Sequence, residues 1–233
     1  MIVMRRLGFL VVAGFSVLGA GLSVAEESAQ SIIFDASHLS NAPVPGDITY
    51  SYTLKTPSPS EYGTPVDEQV RVHVERSVEP DRWNASVERW SGENHRDPVT
   101  FLGQKANPVI LMFLEQDLFH MARKVGGSSN ALRARMAAAF RTRTTIDTVT
   151  AKYDGHDVKA TRISMAPFAK DPAANELGAY VRKVYQFIFS DEVPGQVVEL
   201  IATTPGEKQD EPPLSEEKVE IKQAAASQPK GAM

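Results

Sequence analysis

Residues 107–143 read NPVILMFLEQDLFHMARKVGGSSNALRARMAAAFRTR, and they decide the architecture. On either side of this stretch the apolar residues recur with period two, and inside it with period 3.6. Asn107-Pro108 is a helix start, because an Asn side chain can accept orphan amide hydrogens and Pro carries no amide to waste. A helix over residues 108–125 follows, with Ile110, Leu111, Leu114, Leu118, Met121, Ala122 and Val125 on one arc. Val109, Met112, Phe113 and Phe119 fall outside that arc, which is more apolar surface than one packing face needs. Gly126-Gly127 supplies a left-handed end, and Ser128, Ser129 or Asn130 can cap a second helix with the stripe Leu132, Met136, Ala139 and Phe140. The stretch therefore predicts a helical hairpin inserted into a β-rich chain.

Upstream, residues 47–55 alternate, with Ile48, Tyr50, Tyr52 and Leu54 on one side. Residues 66–74 repeat the pattern with Val66, Val70, Val72 and Val74 inward, interrupted by Glu68, and Trp83, Ala85 and Val87 give a third inward face. Short loops between them predict an antiparallel meander. Downstream, residues 144–153 and 156–166 flank Asp154-Gly155, a two-residue hairpin turn. Residues 180–189 carry apolar side chains on both faces, which predicts a central strand. Pro194-Gly195 then turns the chain into residues 196–203.

The ends differ in composition. Arg5 and Arg6, an apolar run over residues 7–22 and Ser23-Val24-Ala25 make residues 1–25 a secretory signal peptide. Residues 26–46 read as a linker or edge segment, and residues 47–205 as one β-rich domain holding the insert. Glu, Lys, Gln, Pro and Ala dominate residues 206–233, which predicts a disordered charged tail. The chain holds no cysteine, which excludes a disulfide-linked partner and favours the bacterial periplasm. Losing two arginines with the leader takes the net charge from −4 to −6, so a nucleic-acid partner is not expected.

Motifs for chemistry are few. The five histidines share no ligand spacing, so no metal is expected. No G-x-S-x-G elbow, cysteine nucleophile, Walker loop or dinucleotide fingerprint occurs, so neither catalysis nor a cofactor is expected. Asp191-Glu192 beside Pro194-Gly195 is turn chemistry, and the Asn84-Ala85-Ser86 triplet lies inside a predicted strand. One feature stands above background: residues 107–143 carry six bases against two acids in an acidic protein. Arg133 and Arg135 flank the second helix's apolar stripe, an arrangement suited to contact with an envelope protein or anionic surface.

Taken together, the fold class is α+β: a curved antiparallel sheet, half-barrel-like, with the helical hairpin packed across its concave face. The meander over residues 47–90, the insert, the Tyr153-Asp154-Gly155 hairpin and the closing pair around residues 189–195 resemble the LolA/LolB-like superfamily of periplasmic lipoprotein carriers. That resemblance implies a non-enzymatic protein holding a lipid, an acyl chain or another apolar molecule between sheet and helices. Met112, Phe113, Phe119, Met136, Phe140, Tyr185 and Phe187 would line such a site. The competing expectation is a structural or interaction protein of the cell envelope, acting through Arg133 and Arg135 or through the charged tail.

Overall fold

Alternation in sequence becomes alternation in burial. Along β1 (Gly46–Lys55) Ile48, Tyr50, Tyr52 and Leu54 are all buried, while the residues between them are only half covered. The computed structural model describes residues 28–172, 174–208 and 210–226; the expected signal peptide lies outside these residues. The other strands are β2 (Val66–Arg76), β3 (Trp83–Ser91), β4 (Asn94–His95), β5 (Val99–Gln104), β6 (Thr144–Tyr153), β7 (His156–Met165), β8 (Val184–Phe189), β9 (Val197–Thr204) and β10 (Ser215–Ala226). They form one antiparallel sheet in the order β4-β3-β2-β1-β10-β9-β8-β7-β6, with β5 also paired to β3. The sheet is open and mainly antiparallel meander, and the α+β class holds.

The sheet is also strongly curved. Five strand steps separate β1 from β6, about 24 Å in a flat sheet. Nevertheless the Tyr153 phenol on β6 stands close enough to the Tyr50 phenol on β1 to oppose its ionisation. Two long helices cover the sheet, α1 (Val109–Val125) and α2 (Ser129–Thr142). Asn107 starts α1 as its chemistry dictates: its Oδ1 accepts the Val109 amide hydrogen at 3.2 Å. Its Nδ2 then donates to the Tyr50 hydroxyl at 2.8 Å and the Gly195 carbonyl at 3.0 Å, tying the helix start to β1 and to the turn before β9. Gly195, at φ 72°, leaves no room for a side chain, since a Cβ there would lie 2.5 Å from Ile48 Cδ1. Gly126 ends α1 in the left-handed conformation at φ 69°.

Several expectations need correction. Residues 206–233 are not uniformly a disordered tail: Ser215–Ala226 is β10, paired with β1 on one side and β9 on the other. Composition hid a period-two pattern in which Glu217, Val219 and Ile221 face inward. Between them Lys218 pairs across the surface with both Glu199 and Glu220, so two large apolar residues suffice when neighbours supply both ladders. Residues 26–46 contain no edge strand in their described part. Instead the helical turns Ser31–Asp35 and His38–Asn41 bury Ile33 and Leu39 completely. Residues 180–182 belong to a 3-10 turn, Gly178–Arg182, and the strand begins at Val184, between β7 and β9. Glu68 does face inward and is buried, because Arg89 and Arg96 both bind its carboxylate.

Candidate functional site

The inner arc of α1 differs from the sequence expectation. Val109, Phe113 and Asp117 are buried along with Ile110, Leu114, Leu118, Met121 and Ala122, while Leu111 is 39% exposed. The arc is rotated toward Asp117, which periodicity counting discards as polar. Phe113 therefore packs edge-on against Phe187, with ring centroids 6.5 Å apart. Phe140 of α2 meets the same Phe187 at 5.7 Å, and Tyr185 stacks beside it at 6.4 Å. Phe113, Phe140, Tyr185 and Phe187 thus fill the space between helices and sheet, so this part of the expected ligand cavity is solid core.

Free apolar surface lies on the outer flank of α1 instead. A groove of about 630 Å³ runs between α1 and β3–β5, and Val87, Val99, Phe101, Leu111, Met112 and Phe119 give it apolar walls. Phe119 is 51% exposed, with the Arg123 guanidinium 5.6 Å from its ring. Polar groups also line the groove: Arg89, Arg96, Asp97, Glu115 and Gln116. A second cleft, about 270 Å³, opens between α1 and α2, where Met136 and Phe140 show their edges beside Leu114 and Phe34. Leu111 and Glu115 border both spaces, forming the ridge between them. Of the sequence-expected residues, Met112 and Phe119 thus share the groove, Met136 and Phe140 share the cleft, and Phe113, Tyr185 and Phe187 line neither.

The two arginines expected to reach outward have partners within the chain. Arg133 Nε donates to Glu115 Oε1 at 2.7 Å, so it clamps α2 onto α1. Arg135 lies 3.4 Å from an Asp171 carboxylate oxygen.

Beneath α1 lies a polar cluster that no motif announces. Asp117, Lys183 and Glu217 are almost fully buried. Lys183 Nζ and the Tyr185 hydroxyl both donate to Asp117, and the Tyr52 hydroxyl donates to Glu217 Oε1 at 2.7 Å. Burial, followed by the Asp117 charge, pushes the Glu217 carboxyl well above the usual carboxylate range. A shift in that direction favours the neutral carboxyl, which lowers the cost of burying three ionisable groups together. Burial also raises the Tyr52 and Tyr185 hydroxyls, so both remain donors. Above this cluster Arg89 lies over the Tyr52 ring at 4.7 Å and donates to Gln116 on α1 at 2.9 Å. Asp117, Lys183, Glu217, Tyr52 and Tyr185 line neither the groove nor the cleft; they hold α1 in register over β1, β8 and β10. The signal for Asp117 was available in its spacing, four residues after Phe113 on the inner arc, whereas its partners come from opposite ends of the chain.

A second buried polar group fixes the first described segment. His38 is 1% exposed, stacks on Phe189 at 5.0 Å, and bonds through Nε2 to the Ile32 carbonyl at 2.8 Å. Its Nδ1 accepts the Asn107 amide hydrogen at 3.3 Å, so the hydrogen-bond network assigns the proton to Nε2. Among the described residues no group of three or more His, Cys, Asp or Glu could hold a metal ion. No described helix is long and apolar enough to cross a membrane.

No protein-family model matches the chain, and no curated protein matches it either. Among solved structures it is similar to the lipoprotein LppX of Mycobacterium tuberculosis, at 11% identity and a TM-score of 0.30. That alignment covers 76% of this chain and 84% of LppX.

Proposed function

We propose that this is a non-enzymatic periplasmic protein that binds an acyl chain, a lipid or another apolar molecule along the outer flank of α1. The observation that carries the reading is the groove between α1 and β3–β5. Its walls are apolar, and Phe119 and Leu111 stand open to solvent there. Concave apolar surface with a few polar groups is the form that small-molecule sites take, and it lowers the cost of exposing those side chains once filled. The architecture resembles the LolA/LolB-like carriers, with one difference in placement: here the space lies beside the helix rather than under it.

The test is titration of the delipidated protein with a fluorescent fatty acid, then displacement by lipopeptides and phospholipids. Saturable binding that falls by about tenfold or more in Phe119→Asp supports the reading, since a charge in the wall must be desolvated by an apolar ligand. Absence of saturable binding to all three ligand classes overturns it.

A further inference from the structure

We propose that β6 is a docking edge, on which a second copy of this chain lays its own β6 antiparallel and so joins two sheets into one. The hairpin geometry fixes which backbone groups are free. Asp154 and Gly155 have φ 48° and 77°, the pair of positive values that a type I′ turn requires. Tyr153 and His156 therefore face each other as a hydrogen-bonded pair, and bonding alternates along the ladder from there without a register shift. Tyr153, Ala151, Val149, Asp147 and Thr145 spend their amides and carbonyls on β7. Thr144, Ile146, Thr148, Thr150 and Lys152 turn theirs to the other side. Lys159 confirms the parity on β7: its amide donates to Glu192 and its carbonyl accepts from Ser190, both away from β6.

No strand pairs with that outer side among the described residues, since β6 ends the sheet. Thr145, Ile146, Asp147 and Thr148 are exposed in succession, so both faces of the strand are open here. Two of the devices that keep sheet edges from pairing are missing, since β6 has no proline and no bulge in ten residues of regular ladder; its charges are Asp147 and Lys152. The opposite edge has them, in a two-residue β4 and a register irregularity between Trp83 and Ala85.

The strand's own sequence selects a second copy as the occupant. The outward residues are centred on Thr148, so a two-fold axis there pairs every one of them: Thr148 with itself, Ile146 with Thr150, and Thr144 with Lys152. In this register Asp147 faces Val149, and no like charges meet. Asp147 and Lys152 are already compensated within each copy, by Arg162 at 2.5 Å and Asp157 at 2.6 Å. Main-chain bonds supply the attraction and the register supplies the selectivity, as in other strand additions.

The experiment is sedimentation of the exported full chain over a range of concentrations, with three variants. The wild type is expected to form a concentration-dependent dimer. Thr148→Pro removes an outward amide without touching the β7 ladder, and should leave a monomer with the wild-type melting curve. The pair Ile146→Lys with Thr150→Lys sets lysines opposite each other twice, and should weaken the dimer roughly tenfold. Ile146→Lys with Thr150→Glu turns the same contacts attractive and should restore it, so the register is tested even if the proline variant fails to fold. A wild type that stays monomeric throughout overturns the proposal. So does a dimer that survives Thr148→Pro, or one indifferent to the charge swap.

Discussion

Tyr52 and Glu217 lie 165 residues apart in the chain and share a 2.7 Å hydrogen bond in the core. The bond joins the first strand to the last, and through Asp117 it reaches the helix above. Because burial raises the Glu217 carboxyl well above the usual carboxylate range, its contribution has a definite sign. A carboxyl whose folded pKa is raised supports the fold fully below its ordinary value of 4.5, and that support is lost as pH rises through the folded value.

Glu217→Gln should therefore cost under about 1 kcal/mol at neutral pH, since an amide keeps the acceptor for Tyr52 and a donor toward Asp117. Relative to wild type, the variant should gain stability as pH climbs above 4.5. Lys183→Met instead strands the Asp117 carboxylate and should cost about 3–5 kcal/mol. Urea unfolding across pH measures all three, and equal losses for the two variants would show that Glu217 is held ionised.

The two phenylalanines that sequence reading placed together should separate under mutation. Phe113 is fully buried against Phe187, so Phe113→Ala should cost about 3–5 kcal/mol. Phe119 is half exposed, and Phe119→Ser should stay within about 0.5 kcal/mol of wild type. Thermal denaturation decides it; comparable losses would place Phe119 in the core.

His38 should make the protein sensitive to mild acid. Burial lowers its pKa from 6.5 to about 4, so the unfolded chain binds the proton more tightly. Stability from this group is complete above pH 6.5 and lost as pH falls toward 4, by about 3 kcal/mol over the whole window. Other carboxylates titrate nearby, so the measurement is the difference between wild type and His38→Gln. That difference should shrink as pH drops from 7 to 4; a constant gap would mean the ring does not titrate with unfolding.

Local rules explain what could be read from the chain directly. Asn107-Pro108 and Gly126 bound α1 because capping is settled within one turn, and Asp154-Gly155 locates a hairpin because φ is a property of single residues. Strand alternation in residues 47–55 carries straight through to burial. What could not be read depends on partners distant in sequence. Glu217 and Lys218 look like solvated tail until β1 and β9 take them as a neighbour. Asp117 rotates the inner arc of α1 only because Lys183 and Tyr185 meet it from β8 and the turn before it. The same rotation sinks Phe113 and brings Leu111 to the surface.

Pairing β1 with β10 also sets a timetable. Gly46 lies beside Ala226, so a seam near the middle of the sheet joins residues far apart in the sequence. Synthesis delivers the two in order, and residue 46 waits for residue 226 before its ladder can close. Such distant pairing slows folding.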